Sequence, residues 1–283
     1  MFLLLKSGYE EIDLPRVGDF ENGSIHFGKS ILFRKRGSRE IMNEKIEYAE
    51  RWEISSKYFY QKGSYSWMKK KVEEYSTILE IGCGTGYSTL ALLESGHKVI
   101  ALDKNRECIE KAKVLIHQKG YSIGVLPDAD VLFIKADIAV EEFYEEVLEE
   151  LNFEAVLCWN VGSYWDKETV HFYLPYMLEY GLNVSQIQQN LESSYAELIL
   201  WNACKIAAMK KVPVHIVDRA GEIVNEKNDE YYCTLKKEFK FSSLEFDNLQ
   251  TDSISGGGLM LVTDGEINRE EVIETILVSI IMK

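Results

Sequence analysis

Four short apolar runs, spaced by stretches with helical periodicity, constrain this chain more than any other feature. They are Thr77-Ile78-Leu79-Glu80-Ile81, Val99-Ile100-Ala101-Leu102, Val131-Leu132-Phe133-Ile134 and Ala155-Val156-Leu157-Cys158-Trp159. Each is the length of a strand rather than of a helix. Between them, Ser88 to Glu94, Arg106 to Lys119 and the acidic stretch Val140 to Leu151 read as helices. Strands that are apolar on both faces and alternate with helices form a parallel sheet covered on both sides. Right-handed crossovers then give a doubly wound α/β sandwich.

The flanks read less regularly. Ser24 to Phe27 and Ile31 to Phe33 suggest short strands or an extended arm, and Ile41 to Tyr60 a helix broken by Gly63-Ser64. A shorter helix through Trp67, Met68, Val72 and Tyr75 follows. Beyond the fourth run, Val170 to Tyr180 and Ser185 to Lys211 read as helices, and Val212 to Val217 as a fifth strand. Tyr231 to Phe241 and Gly258 to Val262 read as a closing antiparallel pair around a loop at 241–258. Arg269 to Met282 reads as an apolar-faced terminal helix.

Composition narrows the function classes. The chain has 283 residues, 46% hydrophobic and 28% charged, enough for a sizeable core and no general disorder. No run of about 18 apolar residues predicts a membrane span. The apolar start Met1 to Leu5 is cut short by Lys6 and Glu10 and lacks a leader pattern, so a cytoplasmic location is expected. The net charge of −14 is opposite to that of most nucleic-acid binders. The five cysteines are scattered, which reads as reduced thiols, and no His, Cys, Asp or Glu spacing predicts a metal.

The chemistry-bearing segment is Glu80-Ile81-Gly82-Cys83-Gly84-Thr85-Gly86-Tyr87. Glycines between a strand and its helix let the backbone approach a ligand that a Cβ would repel. The G-x-G-x-G spacing places Tyr87 where a dinucleotide fold wants its third glycine. Asp103 ends the second strand, where a carboxylate can accept ribose hydroxyls. Asp137 follows the third strand, where it can accept from an adenine amine while Ile138 packs on the ring.

This segment resembles motif I of the class I, Rossmann-like S-adenosylmethionine-dependent methyltransferases, an acidic residue followed by G-x-G-x-G. Asp103 matches that family's ribose-binding acid and Asp137 its adenine-side acid. The resemblance covers roughly residues 60 to 220. It implies a seven-stranded-type, mostly parallel sheet and S-adenosyl-L-methionine as cofactor, with S-adenosyl-L-homocysteine as product. It implies cofactor contacts at Glu80, Gly82, Cys83, Gly84, Gly86, Tyr87, Asp103, Lys104, Asp137, Ile138, Trp159, Asn160 and Tyr65. Methyl transfer to an oxygen, nitrogen or carbon of a small molecule is then the expected reaction.

The acceptor should meet the cofactor past the fourth strand, at Trp159 to Asp166. The Asp/Asn-Pro-Pro-aromatic of exocyclic-amine methyltransferases is absent there. Asn160, Tyr164 and His171 are the candidate catalytic groups, a base being needed only where the acceptor must lose a proton. The tyrosines and Trp201 between 164 and 211 suit either an apolar substrate cap or a homodimer helix. The expected division is a 1–74 extension with lid helices, a 75–265 cofactor-binding domain and a 266–283 terminal helix. Three rival readings remain. One is an RNA or protein methyltransferase docking through Arg34, Lys35, Arg36 and Arg39; another is a cofactor-binding subunit without catalysis; the third is a nicotinamide oxidoreductase, which Tyr87 disfavours.

Overall fold

The computed structural model describes residues 9–11, 33–35, 38–139, 148, 150–159, 170–189, 191–254, 262–263, 266–267 and 272–283. Strands β1 (Tyr9–Glu11) and β2 (Phe33–Lys35) pair antiparallel. Helix α1 (Ser38–Gln61) follows and ends before Gly63, whose φ of 80° starts the short α2 (Ser64–Lys69). Next come β3 (Thr77–Ile81), α3 (Tyr87–Leu93), β4 (Lys98–Asp103), α4 (Arg106–Gln118), β5 (Val131–Lys135) and β6 (Ala155–Trp159). Helices α5 (Val170–Tyr180), α6 (Val184–Gln189) and α7 (Leu191–Lys210) lead to β7 (Val214–Ala220). The chain closes with α8 (Tyr231–Glu238), β8 (Leu244–Ile254), the small pair β9 (Val262–Thr263) and β10 (Glu266–Ile267), and β11 (Val272–Met282).

Seven strands make one sheet in the order β5-β4-β3-β6-β7-β11-β8. The pairs from β5 to β7 are parallel, and β11 runs antiparallel to both β7 and β8. From β3 the chain first winds outward to β5, then restarts on the other side at β6. The crevice at the carboxyl ends of β3 and β6 is therefore the topological switch point, where open α/β sheets bind ligands. The expected doubly wound, mostly parallel seven-stranded architecture is the one observed.

Each face of the sheet buries its own core. Phe59, Tyr65, Met68, Leu90, Leu92, Trp159 and Leu277 pack on the face covered by α1, α2 and α3. Leu79, Ile100, Val156, Tyr195, Leu198, Ile216 and Ile280 pack on the opposite face with α5, α7 and α8. Buried on nearly every side, α7 packs against β6, β7 and α5 as the crossover between the two strands. The stretch expected as one helix from Ser185 to Lys211 is described as α6 and α7.

The carboxyl-terminal third corrects the sequence reading. The expected terminal helix at 266–283 is instead β11, which pairs on both sides and carries the sheet past the expected boundary at 265. Leu277 faces one core while Val278, Ile280 and Met282 face the other. A strand buried on both faces is apolar throughout, so its periodicity does not separate it from a helix. Its partner β8 fills much of the expected 241–258 loop; it is a polar edge strand, and most of its side chains are at least partly exposed. The expected strand at Tyr231 to Phe241 is α8. Asp229 caps it by accepting from the amides of Tyr232 and Cys233 at 2.9 and 3.2 Å, and Lys236 and Lys237 suit its last turn. Gly258, where the other expected closing strand begins, lies outside the described residues, as do most of Ser24 to Phe33 and of Val140 to Leu151.

If β11 is a central strand, Ile280→Ala, at a fully buried site, should cost about 2–5 kcal/mol in chemical denaturation. A loss below about 0.5 kcal/mol, as for an exposed position, would contradict this placement.

Candidate active site

The loop between β3 and α3 is built on three left-handed residues. Gly82, Gly84 and Gly86 have φ of 74°, 52° and 88°, a region that side chains with a Cβ enter only at a cost. The amides of Gly82 and Cys83 both donate to Leu102 O of β4, at 2.8 and 2.9 Å. Close approach adds to conformation at two of the glycines. A Cβ on Gly86 would lie 2.8 Å from Ala112 Cβ of α4, so this glycine sets the packing of α4. A Cβ on Gly84 would lie 2.2 Å from Trp52 Nε1 of α1.

Helix α1 therefore lies on the loop as a lid. Ser56 Oγ and Thr85 Oγ1 are 2.9 Å apart, and Asn105 Nδ2 donates to Lys45 O at 3.1 Å. Lys111 and Glu53 add an ion pair at 2.7 Å between α4 and the lid. Trp52 and Ser56 were not expected as loop contacts, because each is unremarkable within a long amphipathic helix.

Three carboxylates line the strand ends. Glu80 is buried under the loop, where Thr89 Oγ1 donates to Oε2 at 2.6 Å and Ser88 lies alongside. Its Oε1 accepts no hydrogen bond of good geometry. Burial raises its pKa from 4.5 to about 7, against the pull of the two hydroxyls. Asp103 is held in place by Gly84 N on Oδ2 at 2.9 Å and Asn105 N on Oδ1 at 2.8 Å. Burial raises its pKa also, with the two amide bonds opposing. Asp137 accepts from Ala139 N at 3.0 Å and from two tyrosines of the cap helices. Tyr195 OH of α7 reaches both oxygens at 3.2 and 3.3 Å, and Tyr173 OH of α5 donates to Oδ2. Lys104 Nζ sits 3.7 Å from the Tyr195 ring centroid and 5.3 Å from that of Tyr173. Both tyrosines were expected as apolar lining; their hydroxyl roles on Asp137 depend on a fold that brings distant positions together.

The remaining candidates fall as follows. Cys83 is buried, and burial pushes its thiol well up, which suits a small packing residue and not a nucleophile. Tyr87 lies 5.7 Å from the Tyr60 ring. Ile138 is buried in the core on the α7 face. Trp159 ends β6 stacked on Tyr65, with centroids 6.3 Å apart. Its Nε1 donates to His215 Nδ1 at 3.2 Å, so the His215 proton is on Nε2, which faces Ser279 Oγ at 2.8 Å. Burial lowers the His215 pKa to about 3, so it stays neutral and is closed off as a base. Asn160 and Tyr164 lie outside the described residues; His171 is in the first turn of α5, and only its backbone is described. Arg36 also lies outside, and of Arg34, Lys35 and Arg39 only the backbone is described. Among the described residues no cluster able to hold a metal ion occurs, and no helix is long and apolar enough to cross a membrane.

The raised Glu80 pKa has a measurable consequence. Between about pH 5 and pH 7 the folded chain holds a proton that the unfolded chain releases, so stability falls as pH rises through that window. Glu80→Gln should remove that fall, gaining up to roughly 3 kcal/mol on wild type between those limits in denaturation curves. Parallel pH profiles for the two proteins would contradict the assignment.

The site can now be set beside known proteins. Residues 78–177 match the family described as "Methyltransferase domain". A malonyl-[acyl-carrier protein] O-methyltransferase of Anoxybacillus flavithermus is 40% identical over 87 residues, 30% of this chain and 30% of that protein. The match thus spans less than a third of that relative's length. Among solved structures, a SAM-dependent methyltransferase from Agrobacterium tumefaciens is 18% identical, with a TM-score of 0.45 over 78% of this chain and 61% of that one. TehB from Haemophilus influenzae is 13% identical, with a TM-score of 0.41 over 78% and 61%. The described residues fit S-adenosylmethionine on one observation, the buried Glu80 oxygen without a well-formed partner beneath the glycine loop. The match over 78–177 contains the glycine loop, Asp103 at the end of β4 and Asp137, the residues on which the resemblance to the class I S-adenosylmethionine-dependent methyltransferases rests.

Proposed function

We propose that this chain transfers a methyl group from S-adenosylmethionine to a small-molecule acceptor. The observation that carries the reading is the row of carboxylates at successive strand ends, Glu80 under the loop, Asp103 after β4 and Asp137 after β5. In this reading Glu80 takes the cofactor's ammonium, Asp103 its ribose hydroxyls and Asp137 its adenine edge. The cofactor supplies an electrophilic methyl on a sulfonium. The chain's part is to bind, align and dehydrate, which suffices for an in-line displacement. A nearby ammonium would favour the ionised form of Glu80 despite its burial.

Asp137 reaches this task already oriented by Tyr173, Tyr195 and Ala139 N. Lid helix α1 shields the loop from water through Trp52. The acidic chain and the likeness to a methyltransferase acting on an acyl chain support a small acceptor or an acyl group, and not a nucleic acid. The cytoplasm is the proposed location, and Asn160, Tyr164 and His171 remain the proposed acceptor-side groups.

Asp103→Ala should weaken S-adenosylhomocysteine binding by about 1–3 kcal/mol in calorimetry, since hydroxyl bonds to a carboxylate are lost. Unchanged affinity would remove Asp103 from the site. Radiolabelled methyl from the cofactor should enter the small-molecule fraction of a cell extract. Label confined to the RNA or protein fraction would contradict the small-acceptor reading.

A further inference from the structure

Trp52 lies where a ligand on the glycine loop needs open space. Gly84 holds a φ of 52°, and a Cβ on it would lie 2.2 Å from Trp52 Nε1, 2.6 Å from Cδ1 and 3.4 Å from Cε2. The pyrrole edge of the indole therefore rests on the bare backbone of the loop. Gly86 offers no second approach, because its side-chain-free face is filled by Ala112 of α4. The glycine that suits close approach of a ligand is thus covered by a side chain of the chain itself.

The hold of α1 is light where Trp52 sits and firm at the other end. Ala49, Trp52, Ser56 and Phe59 fall at three- and four-residue spacing, so they share one helix face. On that face the large side chain buried completely is Phe59, near the carboxyl end. Arg219 lies over its ring at 5.2 Å, and Tyr65 meets it edge-on with centroids 6.3 Å apart. Tyr60 OH donates to Glu94 at 2.7 Å, and Lys62 pairs with Asp252 at 3.0 Å.

Toward the amino end the contacts are small or polar. Ala49 adds only a methyl, and Trp52 is half-buried. Ser56 Oγ donates to Trp52 O of its own helix at 2.8 Å, so Thr85 is the donor across the 2.9 Å gap between the two hydroxyls. Ser56 keeps its own bond when the helix lifts. The Glu53–Lys111 pair is partly exposed on both sides, and such pairs hold weakly. Past the carboxyl end, Gly63 has a φ of 80° and open space where its Cβ would stand, which suits a hinge.

We propose that Trp52 holds the ligand's own ground, so that S-adenosylmethionine reaches Gly84 only by displacing the indole as the amino-terminal part of α1 lifts about Phe59. This rests on the methyltransferase reading and adds to it a residue that binding must move. Ligand and indole exclude each other at Gly84, because the gap there is already closed by the ring. The measured affinity is then the intrinsic one reduced by the fraction of chains with α1 raised. The polar bonds under the helix set that fraction. A lid that only closes over a bound ligand makes the opposite prediction, since its tryptophan adds contact and its loss weakens binding.

Two experiments on the full chain give the sign. In the first, S-adenosylhomocysteine binding to wild type and to Trp52→Ala is followed by calorimetry and stopped-flow fluorescence. Trp52→Ala should lower Kd at least ~3-fold, mainly through faster association, because the raised fraction grows. In the second, Ser56→Cys and Thr85→Cys are combined; their hydroxyls are 2.9 Å apart, within reach of a disulfide. Oxidation, with peptide mapping to exclude pairing to Cys83, pins the indole on Gly84. The oxidised protein should lose affinity at least ~10-fold, and reduction should restore it. That comparison is made within one sequence, so it stands even if Trp52→Ala misfolds.

Equal or weaker binding by folded Trp52→Ala would overturn the proposal and leave the methyltransferase reading intact. So would an oxidised pair that binds as well as the reduced one. A wild-type chain that binds no S-adenosylhomocysteine at all would overturn the methyltransferase reading together with the proposal.

Discussion

The glycine turn after β3 is the constraint on which the rest of the structure depends. Two of its amides close on Leu102 O, and a third closes on the Asp103 carboxylate. The turn thereby ties β3 to β4 and fixes the carboxylate beside it in one step. Gly86 admits α4 and Gly84 admits the lid, each where a Cβ would collide. Conformation, packing and binding therefore draw on the same few residues. A side chain placed there disturbs all three at once.

Around that turn the fold buries polar groups under control. Glu80 is held by hydroxyls rather than by a cation, which leaves its pKa near the middle of the physiological range. Asp137 is fixed by tyrosines from two helices that enter the chain after β6. His215 is kept neutral between Trp159 and Ser279, so it braces three adjacent strands instead of titrating. The acidic groups at the strand ends are the buried Glu80 and the half-buried Asp103 and Asp137.

Much of this was legible in the sequence, for physical reasons. Strands buried on both faces announce themselves as short apolar runs, so β3 to β6 stand close to where the runs place them. Gly82, Gly84, Gly86 and Asp103 were legible because the loop's job needs those residue types at that spacing. The carboxyl-terminal strands were not. Ile276 to Met282 is apolar on both faces but for Ser279, and Leu244 to Ile254 is polar because it is an edge. Asp229 before α8 was a capping signal that the aromatic pair Tyr231-Tyr232 masked. Trp52 on Gly84, Tyr195 on Asp137 and Arg219 over Phe59 join positions far apart in the chain. No local pattern marks them.

The central claim is that the turn after β3 is a site for S-adenosylmethionine. Calorimetric titration of the chain with S-adenosylhomocysteine, with NAD as the comparison, tests it most directly. The account predicts one site per chain with micromolar affinity for S-adenosylhomocysteine, near −8 kcal/mol, and no heat from NAD. Binding of NAD in preference, or of neither, would contradict it.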